Sequence, residues 1–526
     1  MTFDVIIIGG TVYDGTGSPP RRADVGITGQ TIESVEDLTG ASAHRVIDAT
    51  GMAVSPGFID THTHSEGALL VDPQHACAVR QGITTVITGL DGMSFAPLSE
   101  ANHRAYRRYL GGILGPCVDG LDMSSIEAFR RHYQKVAVNV AYLLPLGAVR
   151  LETVGFHDRP LDRNALTKAR YIIREAHEQG VVGFSVGAAY HPGAWATTDE
   201  LIELCRTVAE SGGVYVNEPR IVELDRVEGR DGVVEGLTIS QQSGVRLHFA
   251  HHRTRPHNAG CVEAFMAPID EAKSRGLDVS ADIYPYAAGS SIPISYLAGI
   301  DQEGGPDAIV QRLADPAQRA AVAARIERDP IGPLHEMVFT YLPGHKDLEG
   351  MSLLDVARRR RVSPGELICD MLLEEDLKVG YLSAPTISTA LWRQVGLDAL
   401  SLLARPDYMA CSDITPCGSM PHPRCFGAFP RFLGRLRRQH GFPSLELMVQ
   451  RMTDNPARRF GLERRGRIAK GHFADAVVFD PDRVIDTATY DDPCQFPAGI
   501  PFVLVNGRIA VDEERCTGEL AGQAVP

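Results

Sequence analysis

Eight apolar, strand-like runs alternate with amphipathic helical patterns through the middle of this chain, and that alternation restricts the fold more than any other feature. The runs lie at residues 57–62, 83–90, 136–146, 181–187, 213–218, 246–252, 277–286 and 408–413. Strands apolar along their whole length need cover on both faces, which is the situation of a parallel sheet wrapped by helices. Eight such units predict an α/β fold of the (β/α)8, TIM-like barrel type. Two intervening helices carry readable boundaries. One, at 161–179, has Asp162 placed as its N-cap; the other, at 198–211, holds Asp199 and Glu200 in its first turn and is followed by Gly212.

The two ends have a different texture. Short runs at 4–10, 23–28 and 31–37 are broken by glycines, and runs at 474–480 and 501–511 repeat the pattern near the other terminus. This predicts one small β-sandwich domain built from residues 1–55 and 466–526, with the catalytic barrel spanning 56–465. The interval between the seventh and eighth runs is long. Its first part, about residues 288–350, carries Pro306, Pro316, Pro330, Pro333 and Pro343 and reads as a subdomain inserted in the barrel. The opening run ends in Gly9-Gly10, but the G-x-G-x-x-G spacing of a dinucleotide site is absent and no helical pattern follows.

Charge narrows the partners. Lys plus Arg number 52 against 66 Asp plus Glu, a net charge of −14, which argues against nucleic acid or an anionic membrane as partner. No apolar run approaches the roughly 18 residues of a membrane span, and the start lacks the basic region of a signal peptide, so a cytoplasmic location is expected. The oligomeric state stays open, a homo-oligomer included. The ten cysteines form no C-x-x-C pair, and Cys411, Cys417 and Cys425 read as packing thiols. The short basic runs at 358–361 and 435–438 read as solvated helix faces.

The polar residues at the strand ends carry the chemistry. His62 and His64 are separated by one residue at the end of the first run, which puts both rings on one face of an extended chain. Asp91 closes the second run, Glu218 the fifth, His251 and His252 the sixth, and Asp413 the eighth. In a barrel of this kind the C-terminal strand ends converge on one site. Three imidazoles and three carboxylates there suit one or two divalent cations, zinc first, with manganese or iron as alternatives. Without a cation, three buried carboxylates would repel one another. Asp413 is the candidate to take a proton from a metal-activated water and pass it to the leaving group, although an Asx turn would also place an aspartate there.

These residues sit within longer motifs: Pro56 through His64, Tyr190-His191-Pro192-Gly193-Ala194, Asp282-Ile283-Tyr284-Pro285-Tyr286, Ser412-Asp413, His422-Pro423-Arg424, Asn455 through Leu462, Ala474-Asp475, and Leu504-Val505-Asn506-Gly507. Through them the chain resembles, over nearly its full length, the amidohydrolase superfamily and its D-aminoacylase (N-acyl-D-amino-acid deacylase) branch. The resemblance implies a metal-dependent barrel that hydrolyses an amide. It places His62, His64 and Asp413 at one metal position and His251 at a second, tighter one, and gives Asp413 the role of general base and acid. It assigns the substrate carboxylate to Arg253, Tyr284, Ser290 and Arg424.

The chain also departs from the family. Gly89-Leu90-Asp91-Gly92 stands where the family has Gly-Asn-Cys-Gly, and Asn217-Glu218-Pro219-Arg220 where it has Thr-His-x-Arg. Arg253 replaces a lysine, and Ser65-Glu66 follow the paired histidines. Both ligand changes move the second position from nitrogen and sulfur toward oxygen. Since carboxylates still bind metal, a retained centre that includes Asp91 and Glu218 is the favoured reading over a single metal at His62, His64 and Asp413. The expected activity is hydrolysis of a carbon–nitrogen bond in an N-acyl-D-amino acid or close relative, with a small carboxylate-bearing substrate and Arg220 as a further cation for it. The alternatives are opening or deamination of a cyclic amide or imide, removal of an N-formyl or N-carbamoyl group, and a non-catalytic binding role.

Overall fold

The computed structural model describes residues 2–220, 231–328, 330 and 332–525. At its centre stand eight strands: β1 (Phe58–Asp60), β2 (Ile83–Thr88), β3 (Asn139–Pro145), β4 (Gly183–Gly187), β5 (Val214–Glu218), β6 (Arg246–Phe249), β7 (Val279–Ile283) and β8 (Tyr408–Ala410). They are hydrogen-bonded side by side in sequence order and every pairing is parallel, so the (β/α)8 expectation holds. Each of the eight runs yields one strand. Every residue of β2 and β3 is buried, as a sheet covered on both faces requires.

The seam between β8 and β1 is closed beyond the strands themselves. Asp413 N–H donates to the His62 carbonyl at 2.8 Å, His64 N–H donates to the Ile414 carbonyl at 2.8 Å, and Thr63 bridges Ile414. The segments that complete the barrel are therefore those that carry His62, His64 and Asp413. Helix starts follow ordinary capping chemistry. Asp162 Oδ1 accepts the N–H groups of Asn164 and Ala165, both at 2.9 Å, an arrangement worth about 1 kcal/mol. The helix Thr198–Glu210 is capped by Thr197, whose hydroxyl accepts Glu200 N–H at 3.2 Å.

Both termini build the β layers beside the barrel. A four-stranded sheet comes from the N-terminal end alone, and a seven-stranded sheet joins Thr11–Val12, Arg21–Arg22 and Ala53–Pro56 to four strands from the C-terminal end. Ala476–Phe479 pairs antiparallel with Ala53–Pro56 and ties the two ends together. Val5, Ile7, Val25, Ile27 and Ile47 pack in one cluster with Ala476, Val478 and Leu504. The stretch 501–511 is not one strand but a hairpin of Phe502–Val505 and Arg508–Asp512. Asn506 (φ 47°) and Gly507 (φ 77°) form its tip, the two-residue Asn-Gly turn whose backbone matches strand twist.

Between β7 and the helix Thr389–Leu403 the chain builds a three-stranded antiparallel sheet from Ser290–Ser291, Gly380–Ser383 and Met337–Tyr341. Helices Gly305–Ala314, Pro316–Arg328, Leu353–Arg360 and Pro364–Glu374 surround it. The first of these strands starts seven residues after β7 ends, at the mouth of the barrel.

The ten cysteines are all unpaired, and among the described residues no helix is long and apolar enough to cross a membrane. The basic run at 358–361 includes an exposed Arg358 paired with Asp355, as a solvated face would. The run at 435–438 differs. Arg435 Nε lies 2.7 Å from the buried Asp486, and Arg437 donates to the Pro481 carbonyl at 2.9 Å, so these cations anchor the π-helix Arg431–Leu436 to the C-terminal segment.

Candidate metal centre

Five of the eight strand ends deliver the six residues of the site. His62 and His64 follow β1, Asp91 follows β2, Glu218 is the last residue of β5, His251 follows β6 and Asp413 follows β8. The extended alternation persists past β1, so the two rings share a face with centroids 5.2 Å apart. Three of the six residues, Asp91 (φ 53°), His251 (φ 33°) and Asp413 (φ 55°), adopt the left-handed backbone that non-glycine residues avoid. Such strain persists only where the surroundings impose it, and it concentrates at functional sites.

The side chains converge. Asp91 Oδ2 lies 3.1 Å from His62 Nε2, 3.3 Å from His64 Nε2 and 3.8 Å from His251 Nε2. Asp413 Oδ1 faces His64 Nε2 at 3.5 Å and His62 Nε2 at 3.8 Å, and Glu218 Oε1 faces His251 Nε2 at 3.7 Å. Three overlapping groups each bring their ligand atoms within 4.8 Å of one another: His62, His64 and Asp91; His62, His251 and Asp413; and Asp91, Glu218 and His251. All six residues expected at the centre are thus in one cluster. His252 is not; it stacks on Phe265 at 4.2 Å, and burial pulls its imidazole down to about 3.

The residues fit a cation. Asp91 Oδ1 and Glu218 Oε2 are buried and accept no hydrogen bond, and buried polar atoms are otherwise almost always paired. His62, His251 and Asp91 each belong to two of the groups, and Asp91 is the carboxylate among them. Burial pulls the His64 and His251 imidazoles down, but hydrogen bonds and charges from Asp91 and Asp413 outweigh it, and both are pushed up to about 10. Burial, then the neighbouring Asp91 charge, pushes Glu218 up to about 8. Burial works against ionised Asp91, yet His62, His251 and His64 hold its carboxyl well below the usual range. A metal entering such a set displaces protons.

A second layer of carboxylates holds the ligands. Asp60 accepts the N–H groups of Ser412 (2.9 Å) and His62 (3.2 Å) and the Ser412 hydroxyl. Asp282 accepts Thr61 Oγ1 at 2.8 Å and the His251 N–H at 2.5 Å, and pairs with His248 Nε2 at 3.0 Å. Glu66 Oε1 accepts Gly89 N–H at 2.8 Å and Ser94 Oγ at 2.9 Å, which fixes the turn before Asp91. Asp60, Asp282 and Ser412 lie within the motifs quoted above but carry no role there, and His248 lies in none of them.

Beside the cluster lies a cationic wall. Arg424, 1% exposed, places Nη1 2.7 Å from Asp413 Oδ2, so it is no surface cation. Its Nε and Nη2 are buried without a hydrogen-bond partner. The Tyr284 ring carries two guanidinium groups, with Arg253 4.5 Å and Arg424 4.8 Å from its centroid. Arg253 Nη2 also donates to Tyr284 Oη at 2.6 Å. Ser290 Oγ is buried and unpartnered, and Tyr190 Oη meets Ser291 Oγ at 2.9 Å. Gly289 lets the inserted sheet come this close: a Cβ there would sit 3.0 Å from Tyr284 Oη and 3.6 Å from Arg424 Nη1. Arg220 does not join this wall. It is buried against Glu235 at 3.0 Å and donates to the Ala194 and Ala196 carbonyls at 3.0 and 2.9 Å.

Residues 53–218 and 387–511 each match an amidohydrolase family model. A D-aminoacylase of Alcaligenes xylosoxydans xylosoxydans is 32% identical over 99% of this chain and 97% of its own length. An N-acyl-D-glutamate deacylase of the same organism is 34% identical over 96% and 93%. The crystal structure of the N-acyl-D-glutamate deacylase of Bordetella bronchiseptica, complexed with zinc and a phosphonate that mimics the tetrahedral intermediate, superposes with a TM-score of 0.82 at 30% identity, covering 100% of this chain and 99% of that one. With its eight-stranded barrel and clustered imidazoles and carboxylates, this chain belongs to the amidohydrolase family, in the branch that holds the D-aminoacylases.

Proposed function

We propose that this protein hydrolyses the amide bond of an N-acyl-D-amino acid at a divalent metal centre held by His62, His64, Asp91, Glu218, His251 and Asp413. The observation that carries the reading is the convergence of three imidazole Nε2 atoms on Asp91 Oδ2, with Asp413 Oδ1 facing two of them, those of His64 and His62. A bound divalent cation supplies a water of lowered pKa and polarises a carbonyl. The full-length relatives that act on N-acyl-D-amino acids, and the zinc in one of them, favour this substrate class and metal.

The chain's own groups do the rest. Asp413 accepts the water's proton at Oδ1 and delivers it to the leaving nitrogen. Arg424 keeps that carboxylate ionised, because its guanidinium, against the burial that raises the group, holds Asp413 well below the usual range. Arg253, Tyr284 and Ser290, with the spare Nε and Nη2 donors of Arg424, bind the substrate carboxylate; an arginine fork suits that anion. The inserted sheet, entering through Gly289 and Ser290, walls that side of the pocket from water.

The test is product analysis. The zinc-loaded protein is incubated with N-acetyl-D- and N-acetyl-L-amino acids bearing neutral and acidic side chains, and with a cyclic imide and an N-carbamoyl compound. Free D-amino acid is expected, with Asp413→Asn lowering kcat by about a hundredfold or more. Turnover of the imide or carbamoyl compound alone would replace the deacylase reading. No turnover and no retained metal would move the weight to a binding role.

A further inference from the structure

Resting on the deacylase reading above, we infer that Arg255 is a specificity-determining residue: it binds a second carboxylate, carried by the substrate's side chain, so that N-acyl-D-amino acids with acidic side chains are the preferred substrates.

The loop after β6 places this residue, because its side chains alternate. His252 and Thr254 are buried against helices. The His252 ring stacks on Phe265 of the helix Val262–Ser274, and Thr254 Oγ1 donates to Asp398 Oδ2 of the helix Thr389–Leu403 at 2.8 Å. His251, Arg253 and Arg255, the residues between and after them, keep contact with solvent. His251 reaches the ligand cluster, and the Arg253 guanidinium lies over the Tyr284 ring. Arg255 is the next residue in that row. Its backbone is extended (φ −115°, ψ 170°), and its N–H donates to Asn258 Oδ1 at 2.6 Å, which fixes the point from which the side chain leaves. Two residues of extended chain span roughly 6–7 Å, so Arg253 and Arg255 stand apart far enough to take two anionic groups of one small molecule.

The surroundings and the charges agree with that role. Arg255 is exposed, yet burial, and then the like charge of Arg253, pulls its guanidinium down, while Tyr284, Glu218 and Tyr381 act in the opposite sense. A side chain that is open to water and still surrounded by protein lines a concavity. Here the neighbours are the edge of the ligand cluster at Glu218, the cationic wall at Tyr284, and Tyr381 of the inserted sheet. Arg424 is already paired with Asp413, and Arg253 serves the substrate's own carboxylate in the reading above. Among the described residues no carboxylate pairs with the Arg255 guanidinium. Two unneutralised cations on one rim attract a doubly anionic ligand, and a guanidinium fork suits a carboxylate.

The experiment uses the full zinc-loaded chain and measures kcat/KM for N-acetyl-D-glutamate and N-acetyl-D-aspartate beside their neutral isosteres, N-acetyl-D-glutamine and N-acetyl-D-asparagine. The wild-type chain is expected to favour the acidic member of at least one pair by about tenfold or more, the worth of one charge-assisted hydrogen bond. Arg255→Ala should lower that ratio about tenfold, through KM on the acidic member. Arg255→Met, which keeps the aliphatic stem, serves if the alanine variant does not fold. Arg255→Glu should turn the preference over and raise kcat/KM for N-acetyl-D-lysine above its wild-type value. A purely structural role would lower acidic and neutral substrates alike and leave the ratio where it was. A ratio unmoved by these substitutions, or a wild-type chain that favours the acidic member of neither pair, would overturn the inference while leaving the deacylase reading in place. No free D-amino acid from any of these substrates would overturn the deacylase reading, and the inference with it.

Discussion

Arg424 Nη1 lies 2.7 Å from Asp413 Oδ2, while the other oxygen of the same carboxylate faces His64 and His62. One carboxylate thus has a cation on one side and the ligand cluster on the other. Both partners are almost fully buried, so the pair cannot be traded for water. Removing one member of a buried pair leaves an uncompensated charge, which costs about 3–5 kcal/mol.

Arg424→Ala is therefore expected to lower the melting temperature and to raise the pKa of Asp413. The acid limb of the kcat/KM profile moves to higher pH, since Asp413 must be ionised to take a proton. Arg424→Lys keeps the charge without the fork and falls between the two. An acid limb unmoved in Arg424→Ala would show that some other group takes the proton.

Asp282→Asn tests the second layer. The carboxylate positions the loops after β1 and β6 through Thr61, His248 and the His251 backbone. Loss of such an outer partner typically weakens metal binding about 10–100-fold. Competition against a chromophoric chelator reads this directly, and an unchanged affinity would mean that Asp282 serves the fold alone.

Stripping the metal should make stability fall with rising pH. His64 and His251 are pushed up to about 10 in the metal-free fold, above the unfolded imidazole value of 6.5. A raised pKa stabilises fully below the unfolded value and loses that contribution as pH climbs through the folded one. Glu218, pushed up to about 8 from 4.5, acts in the same direction. The metal-free protein should thus lose thermal stability between about pH 6.5 and 10, and the gap to the metal-loaded form should widen. Calorimetry of both forms across that range decides; a flat metal-free profile would exclude the imidazolium–carboxylate arrangement.

Arg220→Ala separates structure from recognition. The guanidinium is buried against Glu235 and two carbonyls that hold the 194–196 segment. The expected effect is loss of stability of about 3–5 kcal/mol, read by denaturant unfolding. A selective rise in KM at unchanged stability would place Arg220 in the substrate pocket instead.

Gly507→Ala probes the β layers to which both ends contribute. Gly507 has φ 77°, and a Cβ there would lie 2.0 Å from the Gly29 carbonyl oxygen. The strain and clash together should cost at least the roughly 1–3 kcal/mol of a forced left-handed residue, with metal content unaffected.

The barrel was legible because its signal is local. Each strand is a short apolar run, helices such as those at 163–178 and 198–210 are amphipathic and capped, and the order of pairing follows chain order. The clustering of His62, His64, Asp91, Glu218, His251 and Asp413 was legible for a related reason: in this fold strand ends share one mouth, so a polar residue closing an apolar run already has an address. The hairpin within 501–511 turns on Asn506-Gly507, and the apolar residues flanking that turn on both sides make the stretch look like one run in the sequence.

What only the tertiary structure decided is how distant residues use one another. Arg220 and Arg424 look alike in the sequence, yet one pairs with Glu235 and the other with Asp413, because a buried guanidinium pairs with a carboxylate that folding brings beside it. Asp60 and Asp282 read as stray polar residues in apolar strands until Ser412, His62, Thr61 and His251 fold onto them. Residue type and strand position are properties of the chain, and they determined the barrel and which polar residues stand at its mouth. Distance, burial and charge pairing are properties of the folded molecule, and they assigned each of those residues its partner.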